Sequence, residues 1–230
     1  MGVRSTQFAE DEYYHVYNRG VDKRVIFKNN SDYQRFQELL FLSNTSGSIN
    51  VRDIKKRHSV VYDYDRLEEL VAIGAYCLMP NHFHILLTPL VDNGVQIFMQ
   101  RLATSYSMYF NRRYERTGAL FEGRFKAKHA DEDEYLKYLF AYIHLNPVKL
   151  MQSDWRESGI QDIAGAFTYL QSYHYSSLVD YMGSKRPENG ILLPAQFPEY
   201  FVTAHDHKSE LVEWLLFDEE EETTETRGPA

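Results

Sequence analysis

One cysteine, Cys77, is all that the 230-residue chain contains. A disulfide framework within the chain is therefore excluded, which fits a reducing cytoplasm. Long apolar runs are missing as well. None approaches the ~18 residues that would span a bilayer, so no membrane partner is expected. The opening stretch MGVRSTQFAEDEYYH lacks the apolar core of a secretory signal. Nor is there a basic excess, because the formal net charge is −8. No internal repeat is visible.

The missing basic charge is a matter of distribution. Residues 205–230 carry nine acidic and two basic side chains, which leaves the rest of the chain at −1. Within 101–128, seven basic residues (Arg101, Arg112, Arg113, Arg116, Arg124, Lys126, Lys128) face only Glu115 and Glu122. A local anion-binding surface is thus compatible with an acidic protein. Hydrophobic residues make up 43% and aromatics 15%, enough for a substantial core. With eighteen tyrosines, tyrosine content by itself points to no chemistry.

Hydrophobic patterning sets out the elements. YYHVYNR (13–19) has strand composition. Ser31-Asp-Tyr-Gln34 has the form of a capping box, predicting a helix to about Leu42. The polar stretch 45–66 reads as a loop or short insertion. Val71–Met79, the turn signal Pro80-Asn81 and HFHILLT (82–88) predict a hairpin. From Gly94 to about Arg113, apolar residues recur at helical spacing. ALFEGRFKAKH (119–129) reads as a strand with Arg124, Lys126 and Lys128 on one face. The acidic run 131–134 opens a further helix that ends near Asn146, ahead of Pro147. One more helix is expected within 161–182, and 218–226 reads as a charged, disordered tail. Strand, helix, hairpin, helix, strand, helix is an α+β order, with an antiparallel sheet and helices against it.

Three groupings could carry chemistry. Strand alternation puts His82 and His84 on one face, where two imidazoles can converge on a metal ion. The same spacing also fits two ordinary hydrogen-bonded histidines. Tyr142 and Asn146 share a helix face at i, i+4, which sets a phenol beside an amide oxygen able to ligate a metal. They also fit a core aromatic and a helix cap. Arg124, Lys126 and Lys128, extended by Arg112, Arg113 and Arg116, could contact phosphates or form a solvated face.

YHVYNRG (14–20), LMPNHFHILL (78–87), YFNRRYERTGALFEGRFKA (109–127) and YIHLNPVK (142–149) together resemble the REP-associated branch of the single-tyrosine HUH transposases. The likeness covers roughly residues 13–155, with the motifs in the family's order. It implies a ferredoxin-like sheet, with His82 and His84 as metal ligands and Tyr142 as the nucleophile. The family's third ligand, often Gln, falls on Asn146, which is one methylene shorter. Arg19 and the six basic residues above become DNA contacts. The implied cofactor is a divalent metal, Mg²⁺ or Mn²⁺, and the implied partner is single-stranded DNA carrying a hairpin. The implied reaction is DNA cleavage and strand transfer through a 5′-phosphotyrosine. Both a homodimer and a monomer are compatible with it. On this resemblance residues 1–155 form the catalytic domain, 156–217 a helical extension and 218–230 an acidic tail. Two alternatives remain: a non-catalytic hairpin-binding regulator of the same descent, and a phosphodiesterase that uses water.

Overall fold

A computed structural model of the chain describes residues 7–216. The acidic tail expected at 218–230 lies outside them. Its centre is a four-stranded sheet of β1 (Tyr13–Arg19), β2 (Val71–Met79), β3 (His82–Pro89) and β4 (Lys126–Ala130), in the order β2-β3-β1-β4. All neighbouring strands run antiparallel. Helix α1 (Asn30–Leu42) joins β1 to β2, and α3 (Gly94–Arg113) joins β3 to β4. This is the ferredoxin-like βαββαβ path, and the fold class is α+β as the sequence predicts. Among the described residues no helix is long and apolar enough to cross a membrane.

Period-two alternation splits the sheet into two faces. Tyr14, Val16, Phe83, Ile85 and Leu87 pack with Phe36, Leu40, Phe98 and Tyr106 of α1 and α3. On the other face Ala72, Ala75, Cys77 and Leu86 meet Leu136, Leu139, Phe140 and Ile143 of α4 (Asp133–Leu145). β2 is apolar on both faces, and an irregularity between Ile73 and Ala75 shifts its alternation so that Val71, Ile73, Tyr76 and Leu78 face one core and Ala72, Ala75, Cys77 and Met79 the other. Gly74 sits there because a Cβ would lie 2.8 Å from the Phe197 ring.

Four expectations need correction. Helix α1 is capped by Asn29, whose side chain accepts from the Ser31 N–H at 3.1 Å, so the cap lies two residues ahead of the expected box. The polar stretch 45–66 is not simply a loop. It holds α2 (Val51–Arg57), anchored by buried Ile54, and the backbone oxygens of Thr45 and Gly47 accept from Arg101 of α3. The strand expected over 119–129 begins only at Lys126, because Leu120 and Phe121 turn inward and Gly123 has φ +131. Arg124 therefore does not share a strand face with Lys126 and Lys128. The helix expected within 161–182 is two, α6 (Ile163–Ser172) and α7 (Leu178–Tyr181). Preceding them is the short α5 (Trp155–Ser158).

The C-terminal segment runs along the free edge of β2. Leu78 N–H donates to the Tyr175 oxygen, Ser177 N–H to the Tyr76 oxygen and Leu193 N–H to the Ile73 oxygen, each at 2.9 Å. The last helix, α8 (Ala204–Leu216), packs Leu211 and Leu215 against Ala141 and Leu145 of α4.

Two buried polar groups hold this frame. Asn44, fully buried after α1, accepts from Leu70 and Val71 N–H at 2.9 and 3.0 Å and donates to the Val71 oxygen at 2.8 Å. Asn44→Ala strands three backbone groups in the core, each costing about 1–3 kcal/mol. The variant should lose about 3 kcal/mol or more, read as a lower urea midpoint at unchanged slope. The second is His207 of α8, whose ring lies 3.0 Å from that of His144, while its Nδ1 has no partner. Burial pushes its pKa down to about 4. The unfolded chain binds a proton near pH 6.5 and the folded one does not, so this stability is complete above pH 6.5 and is lost as pH falls toward 4. The contribution is at most about 3 kcal/mol. His207→Leu should flatten the fall in melting temperature between pH 6.5 and 4, and an unchanged slope would clear His207 of this role.

Candidate active site

The α4 face of the sheet carries a cavity of about 260 Å³ at the ends of β1 and β3. Strand register assembles its floor. Tyr17 pairs with His84 and with Lys126, and Arg19 pairs with His82, so these side chains project together. Helix α4 closes the cavity with Tyr142 and Asn146, and Lys149 follows in the next turn. Asn146 keeps helical angles (φ −51, ψ −40) although Pro147 follows, which holds its side chain one turn beyond Tyr142 on the same face.

The two imidazoles lie 5.0 Å apart, centroid to centroid, with their planes perpendicular. The Tyr142 ring stands edge-on to His84 at 5.5 Å and to His15 at 5.7 Å. His82 has a determined tautomer. Asn81 donates through Nδ2 to the Lys23 oxygen at 3.1 Å, so its Oδ1 must accept from His82 Nδ1–H at 2.6 Å. That leaves the His82 Nε2 lone pair open. His84 Nδ1 is 2.8 Å from His15 Nε2. With the shared proton on His84 Nδ1, its Nε2 is open as well. A ring nitrogen engaged behind each ligand is the usual support for metal-binding histidines.

Charge acts in the same direction. Burial, then Lys149 and Arg19, push the His82 pKa down to about 4. Burial, then His15, His82 and Lys149, lower His84 well below its ordinary value. Both imidazoles are therefore neutral at physiological pH, the form that ligates a metal. Among the described residues no group of three or more His, Cys, Asp or Glu could hold an ion. The donors that fit a metal are two imidazoles and an amide oxygen. Asn146 gives its NH₂ to the Tyr142 carbonyl at 2.8 Å, which leaves Oδ1 uncommitted. The amide thus serves the helix end, as one sequence reading held, and keeps an oxygen able to ligate a cation. Burial first, then Tyr138, raise the Tyr142 pKa, while Arg156 and Asn146 pull it down.

Of the expected site residues, His82, His84, Tyr142, Asn146, Arg19 and Lys126 line this one cavity. Lys128 points to the same face opposite His15 and lies 4.1 Å over the Tyr135 ring. Arg124 lines a different cavity. Arg112 is exposed on the last turn of α3. Arg113 donates to Tyr109 Oη at 2.9 Å, and Arg116 ties Asn111 to the Ala119 oxygen. The basic residues therefore form no single track. Sequence reading missed His15, Tyr17, Asn18, Glu122 and Lys149. Alternation in YYHVYNR could have found His15 and Tyr17, since they share a face with Arg19. Glu122 lies beyond that signal, and forms a two-pronged ion pair with Arg19 at 2.9 and 3.2 Å.

Residues 49–146 match the family described as "Transposase IS200 like". That span includes His82, His84, Tyr142 and Asn146 and stops short of β1. Among solved structures, the chain is similar to a REP-associated tyrosine transposase bound to a REP hairpin. Identity is 12% and the TM-score 0.47, over 82% of this chain and 90% of that one. No curated protein matches.

Proposed function

We propose that this protein cleaves and rejoins single-stranded DNA next to a hairpin, with Tyr142 as nucleophile and a divalent cation, Mg²⁺ or Mn²⁺, held by His82, His84 and Asn146. The observation that carries this reading is the convergence of two neutral imidazoles, an uncommitted amide oxygen and a phenol on one small cavity rimmed by Arg19, Lys126 and Lys149. The match of residues 49–146 to the IS200-like transposase family supports it.

A bound divalent cation would supply the positive charge that polarises the scissile phosphodiester and favours phenol ionisation. The protein's own residues do the remainder. Burial opposes ionisation of the Tyr142 phenol, while Arg156, 5.4 Å over its ring, and Asn146 favour it. Arg19, Lys126 and Lys149 draw the DNA backbone in and set its register. The phenolate oxygen attacks phosphorus and the P–O3′ bond breaks. The proton lost by the phenol balances the one taken up by the leaving 3′ oxygen. The product is a 5′-phosphotyrosine at Tyr142 and a free 3′-OH, and attack by a 3′-OH on that link rejoins the strand. No water is consumed. In this scheme residues 1–155 form the catalytic domain, and 156–217 brace it.

The test is a 5′- or 3′-labelled DNA hairpin with unpaired flanks, incubated with the protein and Mn²⁺ or Mg²⁺. A denaturation-resistant protein–DNA adduct carrying the 3′ part of the strand is expected. Cleavage without any adduct would point to water as nucleophile, and tight binding without cleavage would point to a regulator.

A further inference from the structure

A second cavity, of about 470 Å³, opens on the opposite face of the sheet between α3 and the segment leading into β4. Its walls come from Gln96, Met99, Gln100, Ala103 and Thr104, which fall on one stripe of α3, and from Arg124 and Phe125. Asn18, at the end of β1, borders both this cavity and the one at Tyr142. Asn18 is itself buried, with its amide donating to the Gly123 oxygen at 3.1 Å and accepting from Arg19 N–H at 2.8 Å. The two cavities thus share one fixed wall residue, where the β1 end and the Gly123 turn meet.

The lining is chemically divided. Met99 and Ala103 give an apolar floor, and the Phe125 ring gives a flat aromatic wall. Gln96 and Gln100 present two carboxamides, and the Gln96 Oε1 is buried without a hydrogen-bond partner. Rotating that amide exchanges donor for acceptor at the cavity. The exposed Arg124 stands at the rim with no ion-pair partner among the described residues. A Cβ on Gly123 would meet nothing within 4 Å, so the turn between the cavities is open to solvent. An apolar lining with one aromatic ring, two amides and one exposed cation suits a planar heterocycle attached to a single phosphate. Its volume is at the lower end of small-ligand pockets, roughly 300–1,000 Å³.

We propose that this second cavity receives one unpaired nucleobase of the strand whose neighbouring phosphate lies at Tyr142. The proposal rests on the reading of the first cavity as a single-strand DNA site. The base stacks on Phe125 and Met99, its edge is read by Gln96 and Gln100, and Arg124 takes its phosphate. Paired carboxamides match the donor and acceptor edge of adenine best. The backbone passes over the Gly123 turn, and Asn18 fixes the distance between the base that is read and the phosphate at the nucleophile.

The test uses full-length protein in EDTA, so that binding is measured without cleavage. The probes are four fluorescein-labelled DNA hairpins with single-stranded flanks of about ten nucleotides, within the reach of one single-strand-binding fold. The flanks are all-dA, all-dC, all-dG or all-dT, and binding is read by fluorescence anisotropy. Wild-type protein is expected to prefer one flank, dA, by about tenfold. Gln96→Ala and, separately, Gln100→Ala should collapse that preference to within about twofold while the hairpin stem is still bound. Gln100 is exposed, so its variant keeps the fold. A collapse of preference for a base other than adenine would support the pocket and change its reading. Equal binding of all four flanks, or a preference that survives both variants, overturns the pocket and leaves the first reading standing. Failure of every hairpin to bind overturns both.

Discussion

Tyr142→Phe protein should form no covalent DNA adduct, with cleavage reduced by at least about three orders of magnitude, and should still bind hairpin DNA and melt normally. The substitution removes one oxygen and leaves the ring contacts with His84 and His15 in place. The more demanding comparison is with Tyr17→Phe. Tyr17 borders the same cavity, and its ring lies 5.9 Å from His84, hardly farther than the 5.5 Å of Tyr142. Proximity alone does not separate the two phenols. Tyr142 has Asn146 one turn away and lies within the span that matches the IS200-like family, whereas Tyr17 has neither. Tyr17→Phe should therefore keep adduct formation within about tenfold of wild type. An adduct that persists in Tyr142→Phe and vanishes in Tyr17→Phe would transfer the nucleophile to β1. Mass spectrometry of the trapped peptide identifies the linked residue directly.

His84→Ala should weaken Mn²⁺ binding by at least about 100-fold and abolish adduct formation, because it removes a proposed ligand and the partner of the buried His15 together. The reading needs no turnover. Titration of Mn²⁺ followed by electron paramagnetic resonance counts the free ion directly. His82→Ala should resemble it, while Asn146→Ala should weaken binding by only about tenfold, since a neutral amide oxygen is the poorest of the three donors. Unchanged Mn²⁺ affinity in both histidine variants would remove the metal from this cavity. The pair would then be no more than hydrogen-bonded strand residues. Chelation of wild-type protein should silence it, and added Mn²⁺ should restore activity.

Most of the frame could be read before the fold was seen, because alternation and helical spacing are local signals. The hairpin ends, α3 and the stop of α4 fall where apolar periodicity and Pro80, Gly94 and Pro147 place them. What escaped was set by long-range contact. Leu120 and Phe121 carry strand composition, yet the α1–α3 core draws them inward, and the strand shortens. Ile54 and Val61 are the only apolar residues buried in the polar stretch 45–66, too few to announce a helix, yet Ile54 is enough to anchor α2. In the candidate site, spacing could pair His82 with His84 and Tyr142 with Asn146. It could not bring the two pairs together, since that depends on α4 crossing the sheet over β3. His15 shows the limit best. It lies sixty-nine positions before His84, and only the β1–β3 register places their ring nitrogens 2.8 Å apart.

The strap of residues 173–193 along β2 has a consequence for how copies of this protein can meet. A nine-residue strand buried on both faces, with its outer hydrogen-bonding groups bare, would be an invitation to pair with any extended chain. The strap occupies that side, and lateral growth of the sheet is confined to β4. There the five residues Lys126–Ala130 include two exposed lysines. Two copies approaching edge to edge in antiparallel fashion would set ammonium groups against one another. The molecule is thus sealed along one flank and electrically guarded along the other, so the extension that follows α4 also keeps the sheet from polymerising.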